Sequence, residues 1–296
     1  QAGEIDLADN DKVMNGVYTI SSAGDYKFTC SRETGNRIVV DGTNTSEQDN
    51  INIYLNKVNI NTSAGPALRI NVNVKATVTI YLTGTNNLIA KNTWHAGLQK
   101  ANTASLIITT KVLDPTAGIL NAHGSSDGDG AGIGGSNITI NSCSVIASSK
   151  YGAGIGGNKQ GAGSNITINS ASVTASSTDG AGIGGGLYGD GSDIIINSSS
   201  VTASSTNGAG IGGGEGNSCK NITINNSSVT ASSTNGAGIG GGKGGAGSNN
   251  ITINGGSVKS LFCIRFPQQT EGKEVYCCTI ENPENANVTI KNWNRF

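Results

Sequence analysis

GAGIGGG, residues 180–186, recurs at 208–214 and 236–242, and the shorter GAGIGG stands at 130–135 and 152–157. Glycine loses more conformational freedom on folding than any other residue, so five copies of one glycine-rich stretch need a structural reason. Aligning them places Ile133, Ile155, Ile183, Ile211 and Ile239 in one column, with one short step followed by three equal ones. That is a strict internal repeat. The same register stacks Ile138, Ile166, Ile194, Ile222 and Ile251, then Val145, Val173, Val201, Val229 and Val258, with one inserted Asn at 249–250 accounting for a single longer step. The short first repeat lacks the hexads that later appear as 158–163, 186–191, 214–219 and 242–247. Those hexads read as removable loops at one corner.

Within a repeat, three short segments alternate with period two: N-I-T-I points Ile inward and Thr outward, S-V-T-A points Val and Ala inward, and G-A-G-I points Ala and Ile inward. No proline interrupts them and no helical period is present. The pattern predicts an all-β solenoid of three short strands and about 28 residues per coil, each strand pairing in parallel with its copy one coil away. The glycines then occupy corners, where the chain turns with positive φ or stacked backbones come too close for a Cβ. A phosphate-binding reading of G-x-G-x-x-G needs a helix after it, and none follows. A further column, Asn141, Asn169, Asn197, Asn225 and Asn254, reads as a ladder of stacked amides at a tight turn, where Asn tolerates the left-handed conformation.

The alternation continues upstream in INIYLNKVNI (51–60), GPALRI (65–70), VTIYLTGTNNLIA (78–90), HAGLQK (95–100), SLIITT (105–110) and AGILNA (117–122). One elongated domain, 1–296, is expected: 1–50 opens the solenoid, 51–259 forms regular coils, and 260–296 drops the repeat and caps the open end. Aromatics make up 4% of the chain and charged residues 13%, with a net charge of −1. The core is therefore long, thin and aliphatic, and nothing in the charge balance recruits nucleic acid or an anionic membrane. No apolar run approaches the ~20 residues of a membrane-spanning helix. The opening QAGEID lacks Met, as expected of a secreted product after signal cleavage.

Taken together, GVYTI, DYKFTC, INIYLNKVNI, YLTGTNNLIA, HAGL and the N-I-T-I-N, S-V-T-A-S and GAGIGG repeats resemble the right-handed parallel β-helix modules of extracellular bacterial proteins, described as pectate-lyase-like or carbohydrate-binding domains. The resemblance spans roughly residues 15–290. It implies a right-handed coil, an extracellular or cell-surface setting and polysaccharide as the ligand class. It carries over no catalytic residue.

The column just before the glycine corner holds Trp94, Asp129, Tyr151, Asp179, Asn207 and Asn235. In register, these side chains form a line stepping ~4.8 Å per coil, comparable to one sugar unit, with aromatic faces for sugar C–H groups beside hydrogen-bonding amides and carboxylates. Tyr188, at a loop tip, is a further binding candidate. The best acidic patch is HGSSDGDG, where His123 precedes Asp127 and Asp129; the two carboxylates can ligate a Ca²⁺ ion through side chains and carbonyls, although such a D-x-D is more often a solvated turn. No other cofactor motif is present. Arg69 and Arg265 lie far from that patch in sequence, and His95 replaces a corner glycine. The outward Thr139, Thr167, Thr223 and Thr252 suggest a water-ordering face, which Ile195 interrupts. Ten N-x-S/T sequons fall within what 36 Asn and 60 Ser plus Thr produce by chance.

Six cysteines have no zinc spacing. Cys143 and Cys219 lie about three coils apart, ~14 Å at the inter-strand step, too far for a disulfide; Cys263 with Cys277 or Cys278 is the expected local bridge. The leading functional expectation is a secreted, non-catalytic β-helix that binds polysaccharide or acts as an adhesive surface module. The alternatives are a polysaccharide lyase or glycoside hydrolase using Asp127 and Asp129, and a subunit of an extracellular fibre assembled by self-association.

Overall fold

The computed structural model describes residues 3–91, 94–101, 104–110, 118–245, 249–264, 276–281 and 287–290. The chain winds into a parallel β-solenoid with three faces. Ile138–Asn141, Ser144–Ser148 and Ile155–Gly156 are the three strands of one turn, followed one repeat later by Gly163–Asn169, Ser172–Ser177 and Ile183–Gly184. The third face is a nine-stranded sheet running from Val17–Ser22 to Ile239–Gly240.

Each sequence column is a stack. Ile155 pairs with Ile183, Ile183 with Ile211 and Ile211 with Ile239. Ile166, Ile194, Ile222 and Ile251 follow on the first face, and Val173, Val201, Val229 and Val258 on the second. All are buried in a single core cluster, and each such side chain contributes roughly 1.5–3 kcal/mol by leaving water. Upstream, Ile51 pairs with Val78 and Val78 with Leu106, while Leu68 pairs with Leu98 and Leu98 with Ile133. The degraded coils therefore share the same core.

Steric crowding accounts for the glycine corner. Gly156, Gly184 and Gly212 adopt φ of 132°, 130° and 136°, and a Cβ on any of them would run into the carbonyl oxygen of the glycine one coil on. Gly182 needs no unusual φ, yet its Cβ would lie 2.6 Å from the Gly210 carbonyl oxygen.

The Asn ladder forms, in altered form. Asn169 Nδ2 donates to Asn141 Oδ1 at 2.9 Å, Asn197 to Asn169 at 2.8 Å, Asn225 to Asn197 at 2.7 Å and Asn254 to Asn225 at 2.7 Å. The left-handed residue is the next one along: Ser142, Ser170, Ser198 and Asn226 have φ of 45–49°. The ladder Asn ends the strand with its amide pointing outward, and its neighbour makes the turn. The expected insertion at 249–250 also shifts, because Lys220 already pairs with Asn249. The extra residue lies ahead of Asn249.

Both ends are covered. Ile5–Asp6 pairs with the end of Gly24–Thr29, and Tyr18 meets Phe28 edge to face at 5.0 Å, so two of the few aromatics plug the first coil. At the other end, Asn249–Ile264 runs past the expected cap boundary at 260, and Tyr276–Glu281 and Asn287–Ile290 pair with it antiparallel. Reversed strands occupy an edge that would otherwise template another chain. Cys263 stands opposite Cys277 in that register; Arg265 lies outside the described residues. No described helix is long and apolar enough to cross a membrane.

Candidate functional site: the glycine corner

The hexads are tight turns. Gly161 N donates to Asn158 O at 2.7 Å and Gly189 N to Gly186 O at 2.7 Å, and the third residue of each turn is left-handed: Gln160, Tyr188, Gly216 and Gly244. The residue before it ties the loop to the corner one coil back. Lys159 N donates to Asp129 O at 2.8 Å, Leu187 N to Tyr151 O at 2.7 Å, Glu215 N to Asp179 O at 2.9 Å and Lys243 N to Asn207 O at 2.8 Å. Loop tips and corner column thus form one surface.

The corner positions predicted from sequence come together in register, and their side chains form two groups. Asp179, Asn207 and Asn235 make a continuous ladder: Asn207 Nδ2 donates to Asp179 Oδ1, and Asn235 Nδ2 to Asn207 Oδ1 at 2.8 Å. One coil earlier, Tyr151 is half-buried between two ammonium groups, with Lys150 Nζ 4.9 Å and Lys159 Nζ 5.2 Å from its ring centre. Lys159 also pairs with Asp129 at 3.1 Å. Tyr151 and, secondarily, Asp127 hold the Lys150 ammonium above the ordinary lysine value. Trp94 opens the line and is 69% exposed.

Tyr188 projects from its loop, 57% exposed, at φ 61°. The same position in the next two coils is glycine, and a Cβ on Gly216 would sit 3.1 Å from Tyr188 Cδ1. A bulky residue held left-handed costs about 1–3 kcal/mol, and such strain concentrates at functional positions.

Asp127 and Asp129 face different lysines. Asp127, 77% exposed at its side chain, reaches Lys150 at 3.5 Å, whereas Asp129 reaches Lys159. Among the described residues, no group of three or more His, Cys, Asp or Glu side chains could hold a metal. His123 lies on the second face with Nδ1 2.6 Å from Ser148 Oγ, and burial pushes it below the ordinary histidine value. Thr139, Thr167, Ile195, Thr223 and Thr252 do form one outward column on the first face.

Sequence reasoning missed the lysines and glutamate that complete the corner. Their signal was present: Glu215 and Lys243 occupy the same loop position in successive repeats, which puts opposite charges one coil from each other, and they pair at 3.3 Å. The stacked Tyr54 and Tyr81, 4.7 Å apart and 12° from parallel, were similarly readable as equivalent strand positions.

The beta helix repeat family matches residues 138–159, 166–187, 194–215 and 222–243. Each match starts on the N-I-T-I strand, crosses all three faces and ends on the loop residue that bonds back to the corner. Among curated proteins and among solved structures, nothing matches the chain. Fold and repeat match agree that the chain is a parallel β-helix.

Proposed function

We propose that this β-helix is a secreted, non-catalytic module that binds an extended polysaccharide along the glycine corner at the cell surface or outside it. The observation that carries this reading is the line from Trp94 through Asp129, Tyr151 and Asp179 to Asn207 and Asn235, which offers one side chain per ~4.8 Å strand step. An exposed indole supplies a face for sugar C–H groups. The Asp179–Asn207–Asn235 ladder holds its amides in fixed orientations, so little side-chain freedom is lost when a ligand docks. Tyr188, kept at a strained loop tip, extends the aromatic surface.

The pairing of the two best-placed carboxylates argues against glycoside hydrolysis. Glycoside hydrolysis needs two carboxyl groups facing one bond, whereas Asp127 and Asp129 each pair with a different lysine, Lys150 and Lys159.

A glycan array followed by titration calorimetry tests the proposal. Trp94→Ala combined with Tyr151→Ala should abolish binding with the circular dichroism spectrum unchanged, and Asp129→Asn should weaken it less. Wild-type affinity in the double variant would overturn the assignment of the site. Release of reducing ends or unsaturated sugars from the bound glycan would overturn the non-catalytic reading.

A further inference from the structure

The N-terminal end of this corner gathers Arg37, Arg69 and His95. Arg37 opens the strand Arg37–Asn44, and its guanidinium lies over Gly65, where a Cβ would come within 2.9 Å of Arg37 Cζ. Gly65 holds the corner position that His95 takes one coil later, since Leu68 pairs with Leu98. Arg69 and Gln99 are register partners on those same two strands. Burial, with Arg37 and Arg69 adding to it, pushes the His95 imidazole below its ordinary value. Arg69 also lowers Arg37, after burial. Arg37, Arg69 and His95 therefore share one neighbourhood, next to the exposed Trp94.

Further along the corner, the lysines are paired. The three ion pairs among the described residues use Lys150, Lys159 and Lys243, and none involves Arg37 or Arg69. Arg37 Nε and Gln99 Oε1 are buried without a hydrogen-bond partner. Two guanidinium groups set close together repel one another, an oxyanion between them relieves that repulsion, and guanidinium matches carboxylate and sulfate geometry through paired N–H donors.

Resting on the reading of the corner as a polysaccharide line, we propose that its ligand is acidic: a carboxylate or sulfate ester on one sugar is held by Arg37 and Arg69 while Trp94 stacks against the ring. The polymer then runs from this anchor toward the Asp179–Asn235 ladder, where neutral hydroxyls meet amides. Polygalacturonate, dextran sulfate and uncharged dextran, compared by titration calorimetry, separate the ligand classes. The wild type should bind one of the two charged polymers and not dextran. Arg69→Gln, a change at an exposed position, should weaken binding by about tenfold or more, Arg69→Lys should keep part of it, and Lys220→Gln, an exposed charge in a later coil, should leave it unchanged. Equal affinity for dextran, an unaffected Arg69→Gln variant, or an equal loss in Lys220→Gln would overturn the inference. A protein that binds a neutral glycan through Trp94 and Tyr151 but ignores Arg69→Gln refutes the acidic ligand and leaves the polysaccharide line standing. One that binds no glycan at all refutes the line itself.

Discussion

Replacing Gly212 by Ala tests the physical account of the repeat. Two costs coincide at this residue: its φ of 136° is a conformation that L side chains rarely adopt, worth about 1–3 kcal/mol, and its new Cβ would meet the Gly240 carbonyl and approach Cys219 Cβ at 3.1 Å. Overpacking of that kind adds roughly 1–3 kcal/mol, so the variant should lose about 3 kcal/mol. Two further glycines separate the contributions. Gly244 has φ 78° but its nearest neighbour is 3.9 Å away, so Gly244→Ala carries only the conformational cost and should lose about 1 kcal/mol. Gly182 has an ordinary φ and a crowded site, so Gly182→Ala carries only the clash. Urea unfolding followed by circular dichroism measures all three. Because a solenoid coil touches only its neighbours, hydrogen exchange in Gly212→Ala should speed up around Gly184–Gly240 and remain at wild-type rates near Ile51–Leu82. A Gly212→Ala protein within about 1 kcal/mol of wild type, or exchange that rises evenly along the chain, would refute the reasoning.

Lys100 takes a core position in line with Ile70, its ammonium donates to Ser136 O at 2.8 Å, and burial pushes its value down to about 8. Between about pH 8 and the ~10.4 of an unfolded lysine, the unfolded chain holds a proton that the folded chain has released, so Lys100 makes stability rise with pH across that window. Cys143 acts in the opposite sense above its unfolded value, so the measurement is the difference in urea midpoint between wild type and Lys100→Met, which should change steadily from pH 8 to 10 and would be flat if the lysine were solvated. Burial pushes the Cys143 thiol up to about 12, so it should resist a thiol reagent in the folded protein and react only in denaturant. Cys263 and Cys277 face each other across antiparallel strands, where Cα separations of about 4.5–5.5 Å suit a disulfide; non-reducing peptide mapping should recover that link, and a Cys143–Cys219 link would break the coil register.

The regular coils were legible because a solenoid turns a constant sequence spacing into spatial contact. Wherever two positions lie one full repeat apart, they touch, and Ile183, Ile211 and Ile239 could be stacked by counting. The basic end of the corner escaped the same counting. The step from Leu68 to its partner Leu98 differs from the step from Leu98 to its partner Ile133, so no single period connects Arg37, Arg69 and His95, and their proximity emerges only when the strands are laid side by side. Turn chemistry misled in a different way. Asn is the residue best suited to the left-handed conformation after glycine, yet at Asn141 and its copies an outward amide gains a partner above and below by remaining in the strand, and the turn passes to Ser142, Ser170 and Ser198. The column just before the inward Ile138, Ile166, Ile194, Ile222 and Ile251 does both: Asn137, Asn165, Asp193, Asn221 and Asn250 are left-handed at 53–59°, and Asn165 still donates to Asn137 at 2.9 Å.

Contrast between columns is what makes the corner a better candidate site than any strand face. The position just after Asp129, Tyr151, Asp179, Asn207 and Asn235 is Gly130, Gly152, Gly180, Gly208 and Gly236, glycine in these five coils although His95 takes it after Trp94, and a Cβ on any of the five would strike the backbone of the coil before it. One residue earlier, at half-buried positions, the chain places Asp129, Tyr151, Asp179, Asn207 and Asn235. Core packing does not account for that variety, since none of these side chains belongs to the core cluster. An aromatic group, two carboxylates and two amides set in register offer an ordered series of different contacts along one axis. A ligand that is itself a linear series of units can read such a series in a single direction. Moving Tyr151 one coil along, by Tyr151→Asp with Asp179→Tyr, would keep the composition and the backbone supports while changing the order. A polymer recognised by the series should bind the exchanged variant more weakly than wild type, whereas a corner that attracts glycans only through overall polarity should bind both alike.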